Sequence, residues 1–155
     1  MGAEDRLREL GIELPPPSQP IASYVPVVVT GTLAYVSGQV PTADGELLWS
    51  GKLGEELDVA AGANAARRCA LQALSALRAG IGSLDKVRRI VRLGVFVSSA
   101  SGFTDQPKVA NGASDLLVEV FGDSGRHART AVGVPELPLG APVEIEVVAE
   151  IATQP

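Results

Sequence analysis

Apolar and polar positions alternate most cleanly near the end of the chain. Val143, Ile145, Val147, Ala149 and Ile151 fall on one side, and Glu144, Glu146, Val148 and Glu150 on the other. A period of two predicts a β-strand with one face in a core. A longer strand is predicted over Lys86 to Ser98. Val87, Val91, Leu93, Val95 and Val97 share one parity, interrupted by Arg89, and Arg88, Ile90, Arg92, Gly94 and Phe96 share the other. Its second half is apolar on both sides, which predicts cover on each face. Upstream, Val25 to Val29 and Leu33 to Ser37 predict a hairpin about a tight turn at Thr30-Gly31. Residues 41–57 read as loop, with a short strand at Leu47 to Ser50.

A helical period appears between these runs. Val59, Ala63, Ala66, Ala70, Ala73 and Leu77 form one stripe, with Arg67, Gln72, Ser75 and Arg78 off it. Asp58 is the predicted N-cap, and Gly80 and Gly82 the stop. A second helix opens at Ser101 or Thr104, tolerates Pro107 in its first turn, and buries Val109, Ala113, Leu116, Leu117 and Val120 before Gly122. Residues 4–13 predict a short amphipathic helix on Leu7, Leu10 and Ile12, ended by Gly11 and the extended run Pro15 to Pro17. The order ββ(β)αβαββ predicts an α/β two-layer sandwich: a mixed sheet with two helices on one face. Phe96 and Val148 belong to the other face, which no helix covers. Covering it is the physical case for an oligomer.

Length and charge narrow the picture. The 155 residues make one domain, residues 1–155, with ample apolar content for a core. A net charge of −5 argues against a dedicated nucleic-acid binder. Arg67, Arg68, Arg78, Lys86, Arg88, Arg89 and Arg92 crowd one region and are assigned to solvated helix and strand faces. A single cysteine, Cys69, excludes an internal disulfide and reads as core; a single histidine, His127, removes most zinc and triad schemes and reads as a surface residue near Arg129. No phosphate loop or metal-ligand spacing is present, so no metal or cofactor is expected. There is neither a basic-then-apolar leader nor an apolar run of ~18 residues, so the expected location is the cytoplasm, off the membrane.

Several segments together resemble the YjgF/Rid family, also known as endoribonuclease L-PSP. They are Tyr24, the YVSGQVP run from Tyr35 to Pro41, GKLGEEL from Gly51 to Leu57, FTDQPKVANGA before the second helix, and ARTAVGVPELPLGAPVEIEVVAEI from Ala128 to Ile151. The LGIELPPPSQP start resembles a branch with a longer N-terminus, making residues 1–20 an N-terminal extension with a Pro-rich connector. The resemblance implies a chorismate-mutase-like fold and a homotrimer whose clefts between subunits hold the sites. It implies hydrolysis of reactive 2-imino or 2-enamino acids to 2-keto acids and ammonia.

Residue by residue, the resemblance assigns two catalytic positions. Arg129 is the arginine of the R-[ST]-x-V segment, whose guanidinium fork suits a substrate carboxylate. Glu144 is the glutamate beside the water, moving protons to the leaving nitrogen. The two are expected in one pocket. Ser37 and Gly38 match the SGQ turn that lets backbone N–H groups approach a ligand, and Tyr24 matches a cleft-lining tyrosine. Ala131 replaces a common cysteine and keeps the backbone contact expected there. Asn111 and Gly112 are read as helix-packing residues. Two other functions compete: a module that binds a short carboxylic or keto acid without turnover, and an RNA-cleaving translation inhibitor. The partner expected in either of the first two readings is a small carboxylate.

Overall fold

The computed structural model describes residues 1–20 and 22–153. Its order is α1 (Ala3–Leu10), β1 (Val27–Thr30), β2 (Leu33–Gln39), β3 (Thr42–Ala43), β4 (Glu46–Leu47), α2 (Val59–Ile81), β5 (Val87–Ser98), α3 (Gln106–Phe121), β6 (Ala128–Val134) and β7 (Val143–Ile151). Five strands form one mixed sheet in the order β1-β2-β7-β5-β6; β5 and β6 are parallel and the other neighbours antiparallel. This is the two-layer α/β sandwich that the element order predicts. Helices α2 and α3 pack on one sheet face over Ile90, Leu93, Val95, Val97, Val143, Ile145, Val147 and Ala149, all buried. Phe96 and Val148 lie on the opposite face, which carries no helix.

The strands follow from side-chain alternation and turn chemistry. In β7 every apolar position of the odd parity is buried, as its pattern requires. β1 and β2 close through Gly31 and Thr32, one residue later than the expected Thr30-Gly31 turn, because Thr30 pairs with Leu33. Gly31 has φ 58°, the left-handed region a two-residue hairpin demands. The short strand expected at Leu47 to Ser50 is instead Glu46–Leu47, paired with Thr42–Ala43 around Asp44-Gly45. Both turn residues have positive φ, the Asp-Gly signature of a type I′ turn.

β5 departs from its simple parity. Register shifts between Val87 and Arg89 and between Ile90 and Arg92 insert extra residues against β7. Ile90 therefore joins the buried face while Val91 turns outward at 36% exposure. In α2 the stripe is wider than the alanines indicate. Gln72 and Ser75 are buried because the chain supplies partners: Gln72 Nε2 donates to Val40 O at 2.9 Å, its Oε1 accepts from Thr42 N at 2.9 Å, and Ser75 Oγ donates to Pro15 O. The proline connector thus lies along α2. Asp58 caps that helix by accepting from Ala61 N at 2.8 Å. The second helix starts later than expected, with Asp105 as its cap residue.

Candidate functional site

Two groups of site residues sit on different parts of the sheet. The first centres on Glu144. It lies on the open face of β7, paired with Phe96 of β5, and is half-buried. On its other side is Gly38, in the irregular stretch of β2 between Val36 and Gln39. A Cβ at Gly38 would collide with Glu144 Oε1, so the glycine leaves room for the carboxylate. Glu146 lies over Gly94 in the same manner, its Cγ 2.9 Å from where a Cβ would stand. Loss of water holds the Glu144 carboxyl above its ordinary range, and the nearby Glu146 charge adds to the effect.

Ser37 and Tyr24 adjoin this group. Ser37 Oγ donates to Val25 O at 2.6 Å, and Ser37 N donates to Pro26 O at 2.9 Å, tying the segment before β1 to β2. Tyr24 is 50% exposed. With Gly38, Gln39 and connector residues Ser18 to Pro20 it lines a cavity of about 180 Å³.

The second group centres on Arg129, on the edge strand β6. Arg129 pairs with Leu93 and Ala131 with Val95, so both face the helix layer. Nη1 of Arg129 donates to Asn111 Oδ1 at 2.8 Å and to Ser114 Oγ at 3.2 Å, both on α3. Ser114 Oγ is also 2.8 Å from His127 Nε2, and His127 Nδ1 is 2.6 Å from Gly125 O. His127 is thus half-buried and bonded at both nitrogens, not a free surface residue. Among the described residues, no Asp or Glu oxygen comes within 4.0 Å of the Arg129 guanidinium.

A single copy of the chain does not bring Arg129 and Glu144 together. They occupy opposite faces, with β5 between their strands. Two strand spacings alone put the backbones about 9.5 Å apart. Ser37, Gly38, Tyr24 and Glu144 share one end of the sheet; Arg129 and Ala131 share the far edge.

Asn111 and Ser114 hold the guanidinium and His127 backs Ser114, and the sequence reading assigns none of the three to the site. Asn111, expected to serve helix packing, is exposed and bonds Arg129. The available signal is spacing: Asn111 and Ser114 are three apart on one helix face, and His127, just before β6, is two residues from Arg129. Gly112 does serve packing, because a Cβ there would strike the backbone of Ala63 in α2. Cys69 is fully buried in the core, and burial pushes its thiol pKa well up. The crowded basic residues point to different partners: Arg67 pairs with Glu119 at 3.3 Å, Arg68 donates to Thr42 O at 2.9 Å, and Arg92 to Thr130 Oγ1 at 3.0 Å. Among the described residues no group of three or more His, Cys, Asp or Glu could hold a metal ion, and no helix is long and apolar enough to cross a membrane.

A mixed sheet in this order, backed by two helices and closed by an R-x-x-V strand and a glutamate-bearing strand, defines a chorismate-mutase-like α/β protein. Residues 4–151 match the family described as "YjgF/chorismate mutase-like, putative endoribonuclease", and the chain belongs to that family. It is 50% identical over 146 residues to Protein TCP17 of Trypanosoma cruzi, covering 94% of this chain and 91% of that one. It is 31% identical over 143 residues to the 2-iminobutanoate/2-iminopropanoate deaminase of Dermatophagoides farinae, covering 90% and 94%. The crystal structure of Atu1372 from Agrobacterium tumefaciens superposes with a TM-score of 0.88 at 44% identity, covering 97% of this chain and 94% of that one.

Proposed function

We propose that the protein hydrolyses reactive 2-imino or 2-enamino acids to 2-keto acids and ammonia, in a cleft of a homotrimer where Arg129 of one copy faces Glu144 of a neighbour. The observation that carries this reading is the half-buried Arg129 guanidinium, which two neutral acceptors hold at one nitrogen and no carboxylate of the described chain neutralises. A fixed cation without an internal counter-ion is suited to an external anion. The 2-iminobutanoate/2-iminopropanoate deaminase relative supplies a substrate class with that anion.

In this reading the substrate carboxylate sits on Arg129, which places the C=N carbon beside a water at Glu144. Water adds to that carbon, and the Glu144 carboxylate takes its proton. That proton passes to nitrogen, giving a carbinolamine. Glu144 then takes the carbinolamine hydroxyl proton and delivers it to nitrogen as the C–N bond breaks, so that ammonia leaves and the carbonyl forms. A glutamate with a raised pKa takes and returns that proton more readily near neutrality than an ordinary one. Gly38 gives the carboxylate its room, Ser37 and Tyr24 wall the Glu144 side, and Ala131 offers its main-chain N–H on the Arg129 side. A neighbouring copy is required because the two groups lie apart within one chain.

The test couples the protein to a dehydratase that generates 2-aminoacrylate and follows ammonia release. Accelerated release is expected, with its loss in Arg129→Ala at unchanged assembly size. Binding of a 2-keto acid with no accelerated release would overturn catalysis and leave a carboxylate-binding module.

A further inference from the structure

We propose that Ser114 and His127 are positioning residues that aim Arg129, leaving the edge formed by its Nε and Nη2 to receive the ligand carboxylate. The inference rests on the reading of Arg129 as a carboxylate anchor, and it adds the residues that set the anchor's direction. Arg129 Nη1 has two protons and two acceptors, Asn111 Oδ1 at 2.8 Å and Ser114 Oγ at 3.2 Å. Both protons are therefore committed to α3, and the side-on edge of the fork remains for a bidentate partner.

The geometry also orders the protons behind Arg129. Gly125 O is an obligate acceptor, so His127 Nδ1, at 2.6 Å, carries a proton. In the neutral ring Nε2 is then bare and accepts the Ser114 hydroxyl proton across 2.8 Å. With its proton committed to His127, Ser114 turns a lone pair toward Arg129. The frame needs no charge of its own and leaves the guanidinium charge available to the ligand. Gly125 fits because it is buried against the end of α3, where a Cβ would strike the Leu117 carbonyl.

His127 is the chain's single histidine, so nitrogen-15 NMR of the imidazole reads this arrangement without assignment. The expected signature is a neutral ring protonated at Nδ1 in the unaltered protein. Calorimetry with pyruvate, a minimal 2-keto acid, reads the anchor without turnover. Ser114→Ala and His127→Ala are each expected to weaken pyruvate about tenfold, the scale of one hydrogen bond to a charged group. His127→Gln, whose amide oxygen reaches the Nε2 position, is expected to restore binding. In an Arg129→Ala background Ser114→Ala should add nothing, since it acts through the arginine. An Nε2-protonated ring, or unchanged pyruvate affinity in both alanine variants, would overturn the proposal. Pyruvate binding in the expected pattern with no ammonia release would instead sink the deaminase reading and leave the positioning pair standing.

Discussion

The carboxylate of Glu144 lies so close over Gly38 that a single added methyl group would collide with its Oε1. Gly38 does not have positive φ, so the position needs a glycine for space and not for backbone freedom. Gly38→Ala is expected to fold, because the neighbour that must yield is the end of a side chain. It should cost roughly a hundredfold in turnover, the scale of an ångström-sized displacement of a reacting group. Thermal midpoints and ammonia release on the same samples separate the two effects.

Burial and the Glu146 charge raise the Glu144 pKa above its ordinary 4.5. The folded protein holds this proton more tightly than the unfolded chain does. Its contribution to stability is therefore largest below 4.5 and declines as pH rises through the folded value. Glu144→Gln should accordingly gain stability over the parent as pH rises, and the gain should vanish in acid. For activity, Glu146→Gln removes one cause of the shift. The acid limb of the pH–rate profile is expected to move part of the way to lower pH in that variant, because burial, the larger cause, remains; a limb that moves to higher pH would contradict its assignment to Glu144.

Arg129 presents a planar fork, which a lysine cannot reproduce. Arg129→Lys is expected to weaken pyruvate by about ten- to a hundredfold while leaving the thermal midpoint near the parent value. Isothermal calorimetry gives the first number and a melting curve the second.

Gly112 of α3 meets the backbone of Ala63 in α2, and a backbone cannot rotate away. Gly112→Ala should force the helices apart at a cost of about 1–3 kcal/mol, the usual range for overpacking. Denaturant unfolding checks the value, and a neutral result would mean that the layers slide more freely than the contact implies.

Much of this architecture is legible in the sequence, because alternation and stripe are local signals. β7 follows from them directly, and α3 and the β1–β2 hairpin follow in kind, with the helix start and the turn displaced. The bulges of β5 do not: the break in its parity at Arg89 and Ile90 marks an irregularity, but the extra residues are defined only against the register of β7. Gln72 and Ser75 looked solvent-facing because their partners, Val40, Thr42 and Pro15, are remote in sequence. The same limit applies at the site. Glu144 is placed by its parity within one strand. The facing of Arg129 depends on the register of β6 against Leu93, and its bonds to Asn111 and Ser114 depend on how α3 lies over that strand.

Pairing a cation on one copy with a carboxylate on the next is the central claim, and subunit mixing tests it most directly. Arg129→Ala and Glu144→Gln proteins, each expected to be inactive alone, are co-refolded in equal amounts and assayed for ammonia release. If each cleft takes its arginine and its glutamate from different copies, random assembly rebuilds about a quarter of the clefts intact and activity returns to that level. If mixed assemblies form, verified by differently tagged subunits, and release stays at the level of either variant alone, the two residues do not work across copies and the account is contradicted.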